Sequence, residues 1–242
     1  MAEFKLPTEI VELPSKGIIY PEDNPLSSGK IEMKYMTAKE EDILTNQNYI
    51  SKGIVLDELL KSLVVTSGVD IKDLIVGDKN AVLVAARILG YGKNYTFTYG
   101  EEKHTVDLTQ VNNKPFDESL ITQGKNEFFY TLPSSGVDIT YKLLNGHDEE
   151  KVNKEIEGYK KINKNSSPEL STRLKFIITS INGNNERKTI YEFVDNYLLA
   201  MDSRALRKHI RNTQPDVDMN ITLDSGEEVA IPINISFFWP DY

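Results

Sequence analysis

With 242 residues, 39% of them hydrophobic and including 12 Tyr and 9 Phe, the chain has enough apolar material for one large or two small cores and is not a disordered sequence. A formal net charge of −9 and a pI near 5.0 argue against a nucleic-acid groove, which relies on clustered cations to displace counterions. The lack of cysteine excludes disulfides, thiol catalysis and cysteinyl zinc and fits a cytoplasmic origin. No apolar leader and no run of about eighteen apolar residues occur, so neither a signal peptide nor a membrane span is expected.

Residues 1–30 hold Pro7, Pro14, Pro21 and Pro25 together with Gly17 and Gly29, which deny helix and pin extended and turn conformations. Their apolar residues, among them Phe4, Leu6, Leu13, Ile18, Ile19 and Tyr20, are too many for a free linker. The stretch is expected to be an extended arm lying on another surface, either its own core or a neighbour's. Ile31, Met33 and Tyr35 alternate with polar or flexible neighbours as in a half-buried strand. Thr37-Ala38-Lys39-Glu40 has the spacing of a capping box, so a helix is predicted to about Asn46. Further helices are predicted over Val55–Thr66, apolar on most sides, and from Gly77-Asp78 to a stop at Gly90-Tyr91-Gly92. A hairpin then spans Lys93–Tyr99 and Lys103–Leu108.

Residues 109–125, with Asn112, Asn113, Pro115 and Gly124, form the predicted boundary. Beyond it, strands are expected near 126–131 and 137–143, helices near 147–162, 168–181, 187–200 and 202–212, and a final hairpin over Met219–Ile233. The halves share an order of landmarks. Leu13-Pro14-Ser15-Lys16-Gly17 matches Leu132-Pro133-Ser134-Ser135-Gly136, and the acidic pair Glu40-Glu41 matches Glu149-Glu150. The Asp-led helix Asp78 to Arg87 matches Asp202 to Arg211 at identical spacing. Order kept while loop lengths drift is the mark of a duplicated unit. The expected domains are an arm at 1–30, a first repeat unit at 31–110, a linker at 111–125, and a second repeat unit at 126–242 ending in an aromatic tail. The expected fold class is α+β, with two pseudo-repeated halves, each a small antiparallel sheet or hairpin packed on several helices.

Motifs that carry chemistry are scarce. His104, His147 and His209 lack a second histidine at metal-ligand spacing, and the serines beside glycine do not form Gly-x-Ser-x-Gly. Sequence-adjacent carboxylates such as Glu101/Glu102 do not face a common substrate. Gly90-Tyr91-Gly92-Lys93 follows a helix and precedes a strand, the wrong order for a phosphate cradle. No catalytic, cofactor-binding or metal-binding residue is therefore expected. The basic stretch Arg204, Arg207, Lys208 and Arg211 is expected to be a solvated helix face suited to the helix dipole. By contrast, Phe237, Phe238, Trp239 and Tyr242 place four aromatic rings in six residues. Such density marks either the last piece of a core or anchors for a partner.

The segments Leu13-Pro14-Ser15-Lys16-Gly17-Ile18-Ile19-Tyr20-Pro21 and Ile31-Glu32-Met33-Lys34-Tyr35-Met36-Thr37-Ala38-Lys39-Glu40-Glu41-Asp42-Ile43-Leu44 resemble the start of the baseplate-hub proteins of T4-like contractile-tailed bacteriophages. Gly77-Asp78 and Phe237-Phe238-Trp239-Pro240 are similar to later landmarks of that family, so the resemblance covers nearly the whole chain. It implies a non-enzymatic tail protein made in the host cytoplasm that takes part in assembling the baseplate hub through protein contacts. Some relatives carry cysteine pairs at the two hairpin tips, which would bind zinc; here the tips are Tyr99-Gly100-Glu101-Glu102 and Leu223-Asp224-Ser225-Gly226, without a thiolate. The expected partners are other tail and hub proteins, or a second copy, with no nucleic acid. The expected contacts are Phe4, Leu6, Leu13, Ile18, Ile19, Tyr20, Phe237, Phe238, Trp239 and Tyr242. The alternative is a transient assembly chaperone, absent from the mature virion, that uses the helical face near Val55–Val65 as a groove.

Overall fold

A computed structural model describes residues 6–162, 168–223 and 226–238. In chain order the strands and helices are β1 (Thr8–Glu12), β2 (Lys30–Lys34), α1 (Ala38–Leu44), α2 (Gln47–Ser51), α3 (Val55–Leu63), α4 (Val76–Tyr91), β3 (Asn94–Tyr99) and β4 (Glu102–Asp107). They continue with β5 (Phe128–Thr131), β6 (Asp138–Tyr141), α5 (Gly146–Ile162), α6 (Glu169–Ile177), β7 (Ile178–Ile181), α7 (Arg187–Asn196), α8 (Ala200–Thr213), β8 (Asn220–Thr222) and β9 (Glu228–Ala230). The fold is α+β: among the described residues, eight α-helices accompany four small antiparallel sheets, ordered β1-β2, β3-β4, β5-β6-β7 and β8-β9.

The chain divides into two compact units, one of residues 1–17, 22–115 and 215–242, the other of residues 18–21 and 116–214. The terminal hairpin β8-β9 with Phe237 and Phe238, assigned by sequence to the second repeat unit, thus belongs to the first compact unit. Three contacts explain this. Lys114 and Asp218 backbone N–H groups bond the Asp216 and Asn112 carbonyls at 2.7 and 2.8 Å, and Tyr99 Oη donates to Glu227 at 2.7 Å.

The first unit buries Leu26, Met33, Leu59, Leu60, Leu63 and Val82 to 0% exposure. Full burial of a side chain of this size contributes about 1.5–3 kcal/mol. The capping box forms as its spacing predicts: Thr37 N–H and Oγ1 donate to the Glu40 carboxylate at 2.9 and 2.6 Å. Of the two surfaces expected for the arm, the described part, from residue 6, lies on its own chain and includes a strand. Leu13 N–H bonds the Gly29 carbonyl at 2.8 Å, and β1 pairs antiparallel with β2 from Thr8↔Lys34 to Glu12↔Lys30. Gly17, at φ +77, comes so close that an added Cβ would lie 2.5 Å from Gly29 N and Ser27 O, so only glycine fits this turn.

The helix predicted over Val55–Thr66 ends at Leu63 because Val64 and Val65 turn extended. Val65 N–H bonds the Glu32 carbonyl at 2.9 Å and Val64 bridges Met33. In the second unit the helix predicted over 168–181 ends likewise at Ile177, and β7 pairs with β6 through Ile139↔Ile181. In both places β-branched residues meet an open strand edge, where their stiff χ1 suits a sheet better than a helix. The stop predicted at Gly90-Tyr91-Gly92 occurs there, with Gly92 at φ +83 as the C-cap. The last helical residue is Tyr91, and Gly90 lies against the Met36 side chain, whose Sδ an added Cβ would meet at 2.3 Å. The second unit packs Leu144, Val152, Ile156 and Phe176 into one cluster and stacks Phe128 on Tyr141 at 5.2 Å between ring centroids.

Candidate functional site

The buried charged groups of each unit hold backbone turns and strand ends. In the first unit, Ser15 N–H and Oγ donate to the two carboxylate oxygens of Asp78 at 2.9 and 2.6 Å. Ser15 and Asp78 are both 0% exposed. In the second unit, Ser134 and Ser135 N–H groups donate to the two oxygens of Asp202 at 2.7 and 3.0 Å. Asp78 and Asp202 each occupy the third position of their helices, α4 and α8. There a carboxylate also suits the helix dipole. Burial pushes the Asp202 carboxyl up, but the hydrogen bonds from Ser134 and Ser135 outweigh it, and the group lies below the ordinary range.

A second pair of clamps joins each strand to the helix that follows. Lys34 Nζ donates to Glu40 at 2.9 Å, and Lys142 Nζ donates to Asp148 at 2.7 Å, six residues apart in both cases. Glu40 is 0% exposed and also accepts Ser62 Oγ at 2.7 Å. Its burial would raise the carboxyl, yet bonds from Thr37, Ser62 and Lys34 bring it down to about 2. At the other end of the first unit, Arg87 Nε donates to the Phe237 carbonyl at 3.0 Å, which ties α4 to the C-terminal segment. In the second unit Lys175 is buried against the Asp195 carboxylate at 2.8 Å and the face of Tyr191. Burial would lower its pKa, but Asp195 outweighs that and raises it.

The expected partner contacts separate into two groups. Leu13, Ile19 and Tyr20 are 1%, 1% and 4% exposed, and Phe237 and Phe238 are both 0% exposed, so these five are core residues and not free anchors. The Phe237 ring packs on Tyr95 at 4.8 Å and on Phe238 at 5.7 Å. Ile18 is partly buried and its carbonyl accepts Gly124 N–H at 2.7 Å. Leu6 alone of the ten sits in the open among the described residues, at 43% exposure. Phe4, Trp239 and Tyr242 lie outside the described residues. The groove expected near Val55–Val65 is also closed, because Val55, Leu59, Leu60 and Leu63 all point into the core.

The open clefts among the described residues include one in each unit with charged lining. One, of about 320 Å³ in the first unit, is lined by Asn80, Lys114, Asp216, Met219 and Ile231. Its floor is already knit together by Asn80 Nδ2 donating to Asp216 at 3.0 Å. The other, of about 230 Å³ in the second unit, is lined by Lys142, Asp148, Lys151, Lys175, Phe176 and Arg187. His209 stacks on Tyr130 at 4.3 Å, and burial lowers its pKa.

Sequence reasoning missed the corner between α7 and α8. Tyr197, Leu199 and Met201 are 63%, 49% and 73% exposed. The signal was available: Tyr197-Leu198-Leu199-Ala200-Met201 is an apolar run placed between Asn196 and Asp202, where helix periodicity breaks. Among the described residues no helix is long and apolar enough to cross a membrane. No family model, no curated protein and no solved structure matches the chain.

Proposed function

We propose that this chain is a non-enzymatic protein of a contractile phage tail that takes part in assembling the baseplate hub through contacts with other tail proteins. On this reading it is made in the host cytoplasm, where assembly takes place, and binds no nucleic acid. The observation that carries the proposal is that the sequence landmarks behind the resemblance are framework residues of the fold. Leu13-Pro14-Ser15 closes on Gly77-Asp78 through the Ser15–Asp78 bonds, and Phe237 is held by Arg87. Likeness at such positions is likeness in what makes the fold, and not in exchangeable surface.

Two further features support the reading. The buried ionisable side chains Glu40, Asp78, Asp148, Lys175 and Asp202 are engaged in fixing turns and strand ends, which suits a scaffold. The matched clamps at the third positions of α4 and α8 and at the strand–helix junctions support duplication of an ancestral unit. A doubled unit offers related but unlike faces, which can bridge different neighbours in a quasi-symmetric assembly.

The test is affinity purification of the tagged full-length chain from infected cells, with identification of what co-purifies. Hub and tail proteins in fixed proportion are expected. Recovery of the chain alone, or with unrelated host enzymes only, would overturn the proposal. Mass analysis of purified particles then separates a resident subunit, present at fixed copy number, from a transient assembly chaperone.

A further inference from the structure

Charge is unevenly shared along this acidic chain. Residues 18–21 and 116–214 contain 15 Lys and Arg against 14 Asp and Glu, whereas the remaining residues contain 13 against 23. Within the near-neutral unit the cations concentrate on α8, where Arg204, Arg207, Lys208 and Arg211 are all exposed. None of the four meets a carboxylate among the described residues; Arg207 Nε donates to the Ser203 carbonyl at 3.3 Å. The exposed apolar side chains Tyr197, Leu199 and Met201 stand at the start of this basic face. Isolated exposed apolar residues need no explanation, but here three in five positions lead into a helix whose four exposed cations meet no carboxylate among the described residues.

A surface of opposite charge and similar apolar content is carried by the same chain. Strand β1 is paired on one side only, by β2, and its residues are exposed apart from half-buried Val11. Ile10 is 68% exposed and Leu6, just before the strand, 43%. Glu12 shares a face with Ile10 and Glu9 points to the opposite face, so the two carboxylates flank the strand edge. Among the described residues Glu9 accepts from the Tyr35 hydroxyl at 3.2 Å and Glu12 meets solvent-exposed Lys30 at 3.2 Å.

From this we infer that the protein self-associates head to tail, the apolar-basic corner of α8 in one copy docking on the apolar-acidic strand β1 of a second copy. Charge complementarity of this kind sets partner choice and register, while the apolar side chains supply the desolvated centre. Because the two surfaces differ, the contact is heterologous and builds a ring or an open chain, not an isologous dimer. The inference rests on surface chemistry and does not depend on the hub reading.

Sedimentation velocity on the full chain over a concentration series tests it. In low salt the expected result is concentration-dependent growth beyond the monomer, weakened at high salt, where the Debye length falls to about 3 Å at 1 M. Reversal of the basic face, Arg204→Glu with Lys208→Glu, weakens association about tenfold or more. Reversal of the strand, Glu9→Lys with Glu12→Lys, does the same. Mixing the two reversed proteins restores association, since each then offers the complement of the other. Met201→Ser supplies an independent variant should a charge reversal impair folding, which thermal melting would reveal. A monomer at every concentration in low salt, or association indifferent to both reversals, would overturn the inference. Purification of hub partners bears on the proposed function alone, so the two can fail separately.

Discussion

Replacing Glu40 by Gln removes one negative charge from the centre of the β2–α1 junction while keeping the shape of the side chain. In the native protein that carboxylate accepts from Thr37, Ser62 and Lys34 and is shielded from solvent at 0% exposure. Its pKa falls from an ordinary 4.5 to about 2. At about 1.4 kcal/mol per pK unit this corresponds to a stabilisation of about 3 kcal/mol at neutral pH. Because the folded value lies below the unfolded one, the stabilisation is complete above about pH 4.5 and is lost as pH falls towards 2. At pH 3 about 1.4 kcal/mol of it remains. Urea denaturation of the native protein and the Glu40→Gln variant, followed by circular dichroism at pH 7, 4 and 3, measures the difference directly. The gap should be widest at pH 7 and close by about half at pH 3. A gap that stays constant across this range would mean that Glu40 is not held ionised by its neighbours, and the junction argument would fail.

Gly77→Ala should destabilise the first unit by more than the usual overpacking cost of about 1–3 kcal/mol, since the new Cβ would lie 1.9 Å from the Pro215 carbonyl oxygen; a thermal melt checks it. Asp78→Asn and Asp202→Asn should each cost about 1–3 kcal/mol, because each leaves turn N–H groups facing a poorer acceptor, and chemical denaturation should give similar losses for the two. Phe237→Ala should cost about 3–5 kcal/mol, seen as a lowered denaturation midpoint, whereas a surface anchor would leave the midpoint unchanged.

The local signals were the legible part of the sequence. Thr37 and Glu40 announced the start of α1, and Asp78 and Asp202 announced two helices whose first turns face a Leu-Pro-Ser turn. What escaped was set by contacts distant in sequence. Nothing near Val64 or Ile178 states that a strand edge waits beside it, so both helices were read several residues too long. Which surface the proline-rich start lies on is not legible locally, because the Gly17–Gly29 approach that folds it back joins two separate turns. Phe237 and Phe238 read equally well as core or as docking elements in sequence because the partners that cover Phe237, Tyr95 and Arg87, lie more than 140 positions earlier. The cations Arg204, Arg207, Lys208 and Arg211 read as an ordinary solvated helix face because helical propensity says nothing of whether a cation finds a counter-charge.

The most direct test of the central claim is electron microscopy of lysates from cells infected by phage in which this reading frame is interrupted, with the intact chain supplied in parallel. The account predicts that baseplates with a completed hub are missing without the chain and return when it is supplied. Normal numbers of complete, infectious tails in its absence would contradict it.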